Sequence, residues 1–221
     1  MTSLAGVFAI GTAFSAEGVN AKSVESIEKD LEEIAENYDV DLEVGELSGI
    51  STQSEEFADY DEFIHEVEKQ MVQLEYMSDQ DNWDVVDTKH EIHDITPFTA
   101  SGSTSQSVAL NWQDLGDEWV PDETADAIQT TIGFSYVVER NASGVTPTWQ
   151  SVSNVGSGYT GPNPNLDWEE FTADGHILSS VEIELSASGA WSTSASWNGI
   201  EAGLYLEDDW FMGYHANNLP H

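Results

Sequence analysis

His90 and His93 stand beside Glu91 and Asp94 and form the one histidine cluster of this 221-residue chain. Imidazole nitrogen with carboxylate oxygen is a zinc-type donor set. On a helix, side chains three residues apart share a face and could share an ion; on a strand they point to opposite faces and need a bulge to meet. Zinc would still want further ligands, and no His-Glu-x-x-His motif supplies them. His90 and His93 are therefore expected to be exposed histidines of an acidic strand, and only second a metal pair. Asp79, Asp81, Asp84 and Asp87 look like half a calcium loop. An EF-hand wants an oxygen ligand at position 5 and Gly at position 6, where this chain has Trp83 and Asp84. No dedicated cofactor is expected; Ca2+ and other cations would bind the acidic surface non-specifically.

Hydrolytic chemistry has no marked centre. The chain lacks a Gly-x-Ser-x-Gly elbow and a phosphate loop. A glycosidase carboxylate pair cannot be chosen by spacing among 42 acids. His176 and His215 are candidate bases without a marked partner. The eight tryptophans are more informative. Trp168, Tyr159 and Trp210 lie in acidic or Gly/Pro-rich surroundings that read as loops. Aromatic rings exposed among Asp, Asn and Ser are what sugar stacking or a protein interface uses. These three are the candidate binding residues. Asn141-Ala142-Ser143 is an N-glycosylation sequon at a hairpin tip.

The charge balance limits the partners. Against 42 Asp and Glu stand four lysines and a single arginine, Arg140, for a net charge of −37. The acids are spread out: residues 22–98 hold 24 and residues 99–221 hold 17. Such a chain repels itself in dilute salt, where the Debye length is roughly 10 Å, and is relieved at molar salt, where it shrinks to roughly 3 Å. The coherent reading is a protein made for hypersaline surroundings. Nothing here could release counterions from nucleic acid, and an anionic membrane surface is disfavoured for the same reason. Without cysteine there is no disulfide framework, thiol nucleophile or thiolate metal site.

Residues 1–21 (MTSLAGVFAIGTAFSAEGVNA) carry one acid and no base. Their apolar run from Leu4 to Ala16, followed by small residues, has the h-region and cleavage zone of a secretory signal without its positive start. The stretch resembles the part of haloarchaeal twin-arginine signals that follows the Arg-Arg pair. The small residues offer cut sites after Ala16 or Ala21; the resemblance implies export, by a signal expected to be incomplete. It is too short and interrupted to span a membrane.

The elements that must position the candidates follow from periodicity. Val24, Ile27, Leu31, Ile34 and Tyr38 step by three and four as on a helix. So do Phe57, Tyr60, Ile64, Val67, Met71 and Leu74, over about residues 54–77. Val40, Leu42 and Val44 alternate as a short strand or linker. Residues 83–98 read as a strand closed by Pro97. Ser101 to Ser107 (SGSTSQS) reads as a polar connector and domain boundary. Further strands are expected over 127–139 and 149–155, then a surface loop over 154–165.

Residues 177–214 read as a three-stranded meander. Asn198-Gly199 is a type I′ hairpin signal, since both residues tolerate positive φ. A two-residue loop there pairs Trp197 with Ile200, Ala195 with Ala202, Thr193 with Leu204 and Trp191 with Leu206, all on the apolar face. A three-residue loop at Ala187-Ser188-Gly189 is expected to join the first two strands. Ser192, Ser194 and Ser196, with Glu182, Glu184, Glu201 and Tyr205, then form a wettable face, and 207–214 an acidic tail.

The chain is thus expected to be α+β: a signal-like segment (1–21), an acidic two-helix N-terminal part with short strands (22–98) and an antiparallel β-sandwich (99–221). Its expected role is non-catalytic recognition or assembly outside the cell or at its surface, with protein or glycan partners or with itself. Two other classes stay open: a secreted antimicrobial protein or toxin with a helical pro-region, and a secreted hydrolase.

Overall fold

The computed structural model describes residues 22–45, 55–96, 98–111, 115, 128–140, 147–161 and 165–220. The signal-like segment, the Asn141 sequon, Trp112 and Trp119 lie outside the described residues.

Two helices form where the stripes predict them. Helix α1 (Val24–Ala35) starts at Ser23, whose hydroxyl accepts the Ser26 N–H at 3.3 Å and satisfies one orphan donor of the first turn. Its Ile27 and Leu31 are fully buried. Helix α2 (Tyr60–Ser78) starts six residues later than expected. The Asp59 carboxylate accepts from the Asp61 and Glu62 N–H groups and fixes that start. Just upstream, Glu55–Phe57 is taken into a short strand, β2. The buried face of α2 is Phe63, Val67, Gln70, Met71, Leu74 and Met77.

The remaining strands are β1 (Asp41–Gly45), β3 (Trp83–Ile95), β4 (Thr99–Leu110), β5 (Gln129–Glu139), β6 (Thr148–Thr160), β7 (Asp167–Ile177), β8 (Glu182–Trp197) and β9 (Ile200–His215). They make two sheets. One runs β1-β9-β8-β2, with β7 also paired to β8; the other runs β3-β4-β5-β6. Every pairing is antiparallel except that of β2 with β8. The chain is α+β, mostly strand, as its patterning indicated.

The β8–β9 hairpin is the spine. Asn198 and Gly199 have φ of +50° and +77°, and the register from Trp197↔Ile200 to Trp191↔Leu206 is the one the turn requires. The hairpin does not stop there. It continues to Glu182↔His215, so the three-residue loop at Ala187-Ser188-Gly189 does not exist and the expected tail is the second half of β9. The first two strands of the expected meander are one strand. Odd positions from Ile183 to Trp197 are buried without a break in phase, straight through Ala187 and Gly189. Gly189 answers to a close approach instead of a turn: a Cβ there would stand 2.5 Å from the Trp168 ring and from the Glu169 carbonyl oxygen on β7. Gly189→Ala is accordingly expected to cost roughly 1–3 kcal/mol, since Trp168 would have to leave its packed position. Denaturant unfolding in molar salt reads this directly, and an unchanged midpoint would refute the assignment.

One face of this hairpin carries the whole core. Near the Asn198-Gly199 turn, Trp191, Ala195, Trp197, Ala202 and Leu204 pack with Ile27 and Leu31 of α1 and the buried face of α2. Towards the other end, Ile183, Leu185, Ala187 and Tyr214 pack with Ile132, Phe134, Tyr136, Val138 and Trp149 of the second sheet. Helices and second sheet therefore cover successive halves of the same surface. The division expected at residue 98 falls in the short connection between β3 and β4, and residues on both sides of it contribute to one buried cluster.

Three further expectations are corrected. SGSTSQS is the interior of β4, bonded on both sides. Small residues are needed there: a Cβ on Gly102 would run into the Glu91 carbonyl oxygen and stand 2.7 Å from Tyr136 Oη. The expected 154–165 loop is strand up to Thr160, bent by a bulge at Asn154 (φ +50°). On the supposedly wettable face Ser194 is fully buried, while Ser192 and Ser196 are half-buried. β9 flanks Ser194 on one side, and on the other β7 gives way to β2 close by.

Candidate functional site

The three aromatic candidates come together, though not as exposed rings. Trp168 starts β7, Tyr159 ends β6, and Trp210 sits mid-β9. Trp191 is their hub, with ring centroids 4.9 Å from Trp168, 5.7 Å from Tyr159 and 6.2 Å from Trp83. Trp210 joins edge-on to Trp83 at 4.8 Å. Trp168 is buried, and Tyr159 and Trp210 are half-buried. The expectation of exposed rings fails because the supposed loops are strands, whose alternate residues turn inward. Trp83 was not singled out as part of this group. It lies at the start of β3, far from the others in sequence, and only the β3–β4 pairing carries it there.

The indole N–H groups are mostly tied down. Trp83 donates to the Met77 carbonyl at 2.7 Å, Trp168 to Ser157 Oγ at 2.9 Å and Trp191 to Asp208 Oδ2 at 3.2 Å. Ser157 in turn donates both its hydroxyl (2.7 Å) and its backbone N–H to Glu170 Oε2. A polar relay thus runs from Trp168 through Ser157 to an exposed carboxylate.

Trp168 and Trp210 line a largely apolar crevice between the two sheets, with Val108, Thr130, Ile132 and Met212. Its cavity volume is only ≈ 20 Å³, room on the scale of a water molecule, so the two tryptophans leave no space between them for a sugar ring.

Asp208 is the perturbed acid of this region. Burial pushes its carboxyl above the usual carboxylate range, opposed by the N–H groups of Trp191, Asp209 and Trp210. A raised carboxyl stabilises the fold fully below its unfolded pKa, and that contribution is lost as pH rises through the folded value. At neutral pH the charged Asp208 is therefore a cost. Asp208→Asn keeps an acceptor for Trp191 and is expected to unfold at a higher temperature than wild type at neutral pH. The gap should close on acidification through the raised pKa; thermal unfolding of both proteins at a series of pH values checks this, and a gap independent of pH would contradict it.

His90 and His93 do not converge. His90 Nδ1 lies 3.0 Å from Thr104 Oγ1, and His93 Nε2 lies 3.5 Å from Ser103 Oγ. Ser103 and Thr104 are successive residues of β4 and face opposite sides, so the imidazoles do too. A bulge is present beside His93, but it does not bring the rings together. Among the described residues no group of three or more His, Asp or Glu is placed to hold a metal ion. Asp79, from the expected half calcium loop, caps a short 3-10 turn by accepting the Asp81 N–H at 3.0 Å.

The outer surface of β3 is the other notable feature. After Trp83 every residue of this 13-residue edge strand is exposed, including Val85, Val86, Ile92 and Ile95. No family model, no curated protein and no solved structure significantly matches the chain.

Proposed function

We propose that this is an exported, salt-adapted, non-catalytic protein that acts outside the cell or at its surface, in recognition or assembly, through two sheets read as a sandwich. The observation that carries this reading is β3. Among the described residues its backbone bonds to β4 alone, and Val85, Ile92 and Ile95 stay 59%, 43% and 51% exposed. Large side chains left open along a free strand edge are a template for another chain. The acidic surface fits an environment of high salt, where it keeps the protein hydrated without holding partners at a distance. Partners of this kind are proteins, surface glycans or further copies of the chain.

The packing speaks for this reading over a toxin with a detachable helical pro-region. Removing residues up to about 99–107 would strip both helices and β1 to β3, uncovering Trp191, Trp197 and Leu204 together. For membranes the relevant fact is that no helix among the described residues is long and apolar enough to cross one. Glycan and protein arrays probed with the full chain in molar salt, together with its self-association, test the proposal. Binding or self-association is expected, and neither appearing would overturn it.

A further inference from the structure

The free edge of β3 has a definite hydrogen-bond phase. At one end of the β3–β4 ladder Asn111 N–H donates to the Asn82 carbonyl at 2.7 Å; at the other, Thr96 N–H donates to the Thr99 carbonyl at 2.8 Å. Antiparallel pairs alternate between bonded and non-bonded. Counting inward from either end through the bulges at Val86 and His93 gives the same result: Lys89 and Glu91 turn their backbone groups to β4. Thr88, His90 and Ile92 turn theirs to the open edge.

We propose that two copies of the chain pair β3 against β3 in antiparallel fashion about a two-fold axis at His90; this rests on the assembly arm of the proposed function. In that register His90 faces its own copy, and Thr88 faces the second copy's Ile92, as hydrogen-bonded pairs. Between them Lys89 faces Glu91 twice, in non-bonded pairs, where side chains approach most closely. Charge selects this alignment. Sliding by one register step, which keeps the hydrogen-bond phase, puts Lys89 on Lys89 in one direction and Glu91 on Glu91 in the other. Lys89 is available: its ammonium is 3.8 Å from Asp87 within the chain and its side chain is 77% exposed. The pairing also extends the partly open strip of Val85, Ile92 and Ile95 across both copies. The flanking bulges confine the ladder to the segment between them, and a two-fold contact closes on itself, so the product is a dimer and not a fibre.

A net charge of −37 per chain opposes the approach of two copies. Molar salt removes most of that long-range repulsion, while contact pairs at the ~3 Å screening length persist.

Sedimentation of the full chain in molar salt, over a range of concentrations, tests the pairing through charge reversal. Wild type is expected to dimerise; Lys89→Glu and Glu91→Lys should each weaken dimerisation about ten-fold, because each acts at two symmetric contacts. The double swap, Lys89→Glu with Glu91→Lys, should restore it. His90→Pro should abolish dimerisation while the monomer still folds, since the lost N–H faces the open edge and not β4. A wild type that self-associates regardless of these changes, or a double swap that stays monomeric, overturns the register and leaves the assembly reading standing. A wild type monomeric at every concentration overturns the pairing, and recognition of other partners is then decided by the arrays.

Discussion

Trp191→Ala is expected to cost roughly 3–5 kcal/mol, the range for truncating a large buried aromatic. Trp191 is fully buried at the centre of the spine hairpin, and three further aromatic rings lie within 6.2 Å of its centroid. Collapse around the missing indole is hindered because the neighbouring rings are held from elsewhere: Trp83 by the Met77 carbonyl and Trp168 by Ser157. The substitution also takes from Asp208 an N–H that favours its charged form, leaving a half-buried carboxylate less satisfied. Domains of this kind are stable by only about 5–15 kcal/mol, so the variant should be near the limit of folding at moderate temperature. Trp210→Ala, at a half-buried position on the rim of the crevice, should cost distinctly less. Denaturant unfolding in molar salt compares the two, and equal midpoints would refute Trp191 as the hub.

How much of this was legible from the residues depends on how local the cause is. The Asn198-Gly199 turn and its register were readable because two residues set the backbone and eight neighbours agree with it. The helices were readable from their stripes. Ala187-Ser188-Gly189 misled because a glycine near serine looks like a turn, whereas Gly189 makes room for a tryptophan 21 residues away. The unbroken odd-position pattern across it was the available signal. β4 was hidden because Ser, Gly and Thr carry no apolar alternation; its strand form comes from neighbours on both sides. In β3 Trp83, Val85, Ile92 and Ile95 are out of phase in sequence, and only two bulges bring them to one face, where all but Trp83 stay exposed. Residue type points to Trp168 and Trp210, which do line one crevice; they are not exposed rings because the loop-like surroundings expected at Trp168 and the tail expected over 207–214 are strands.

The second large effect is that of salt. With 42 acids against five Lys and Arg, most carboxylates are left without a cationic Lys or Arg partner. Among the described residues the Lys pairs are Lys22–Asp30 and Lys89–Asp87, and both are solvent-exposed. Exposed pairs of this kind stabilise little. The remaining carboxylates repel one another across a surface held together by one shared core. Screening that repulsion lets the core keep the chain folded, and it lets a second copy approach β3. The proposed recognition in brine and the proposed self-pairing both depend on it.

Circular dichroism of the full chain against sodium chloride concentration, at fixed temperature and neutral pH, tests this most directly. The predicted result is a cooperative gain of β signal between dilute and molar salt, with several kcal/mol of stability recovered as the Debye length falls to roughly 3 Å. A chain equally stable in dilute and molar salt would contradict the account.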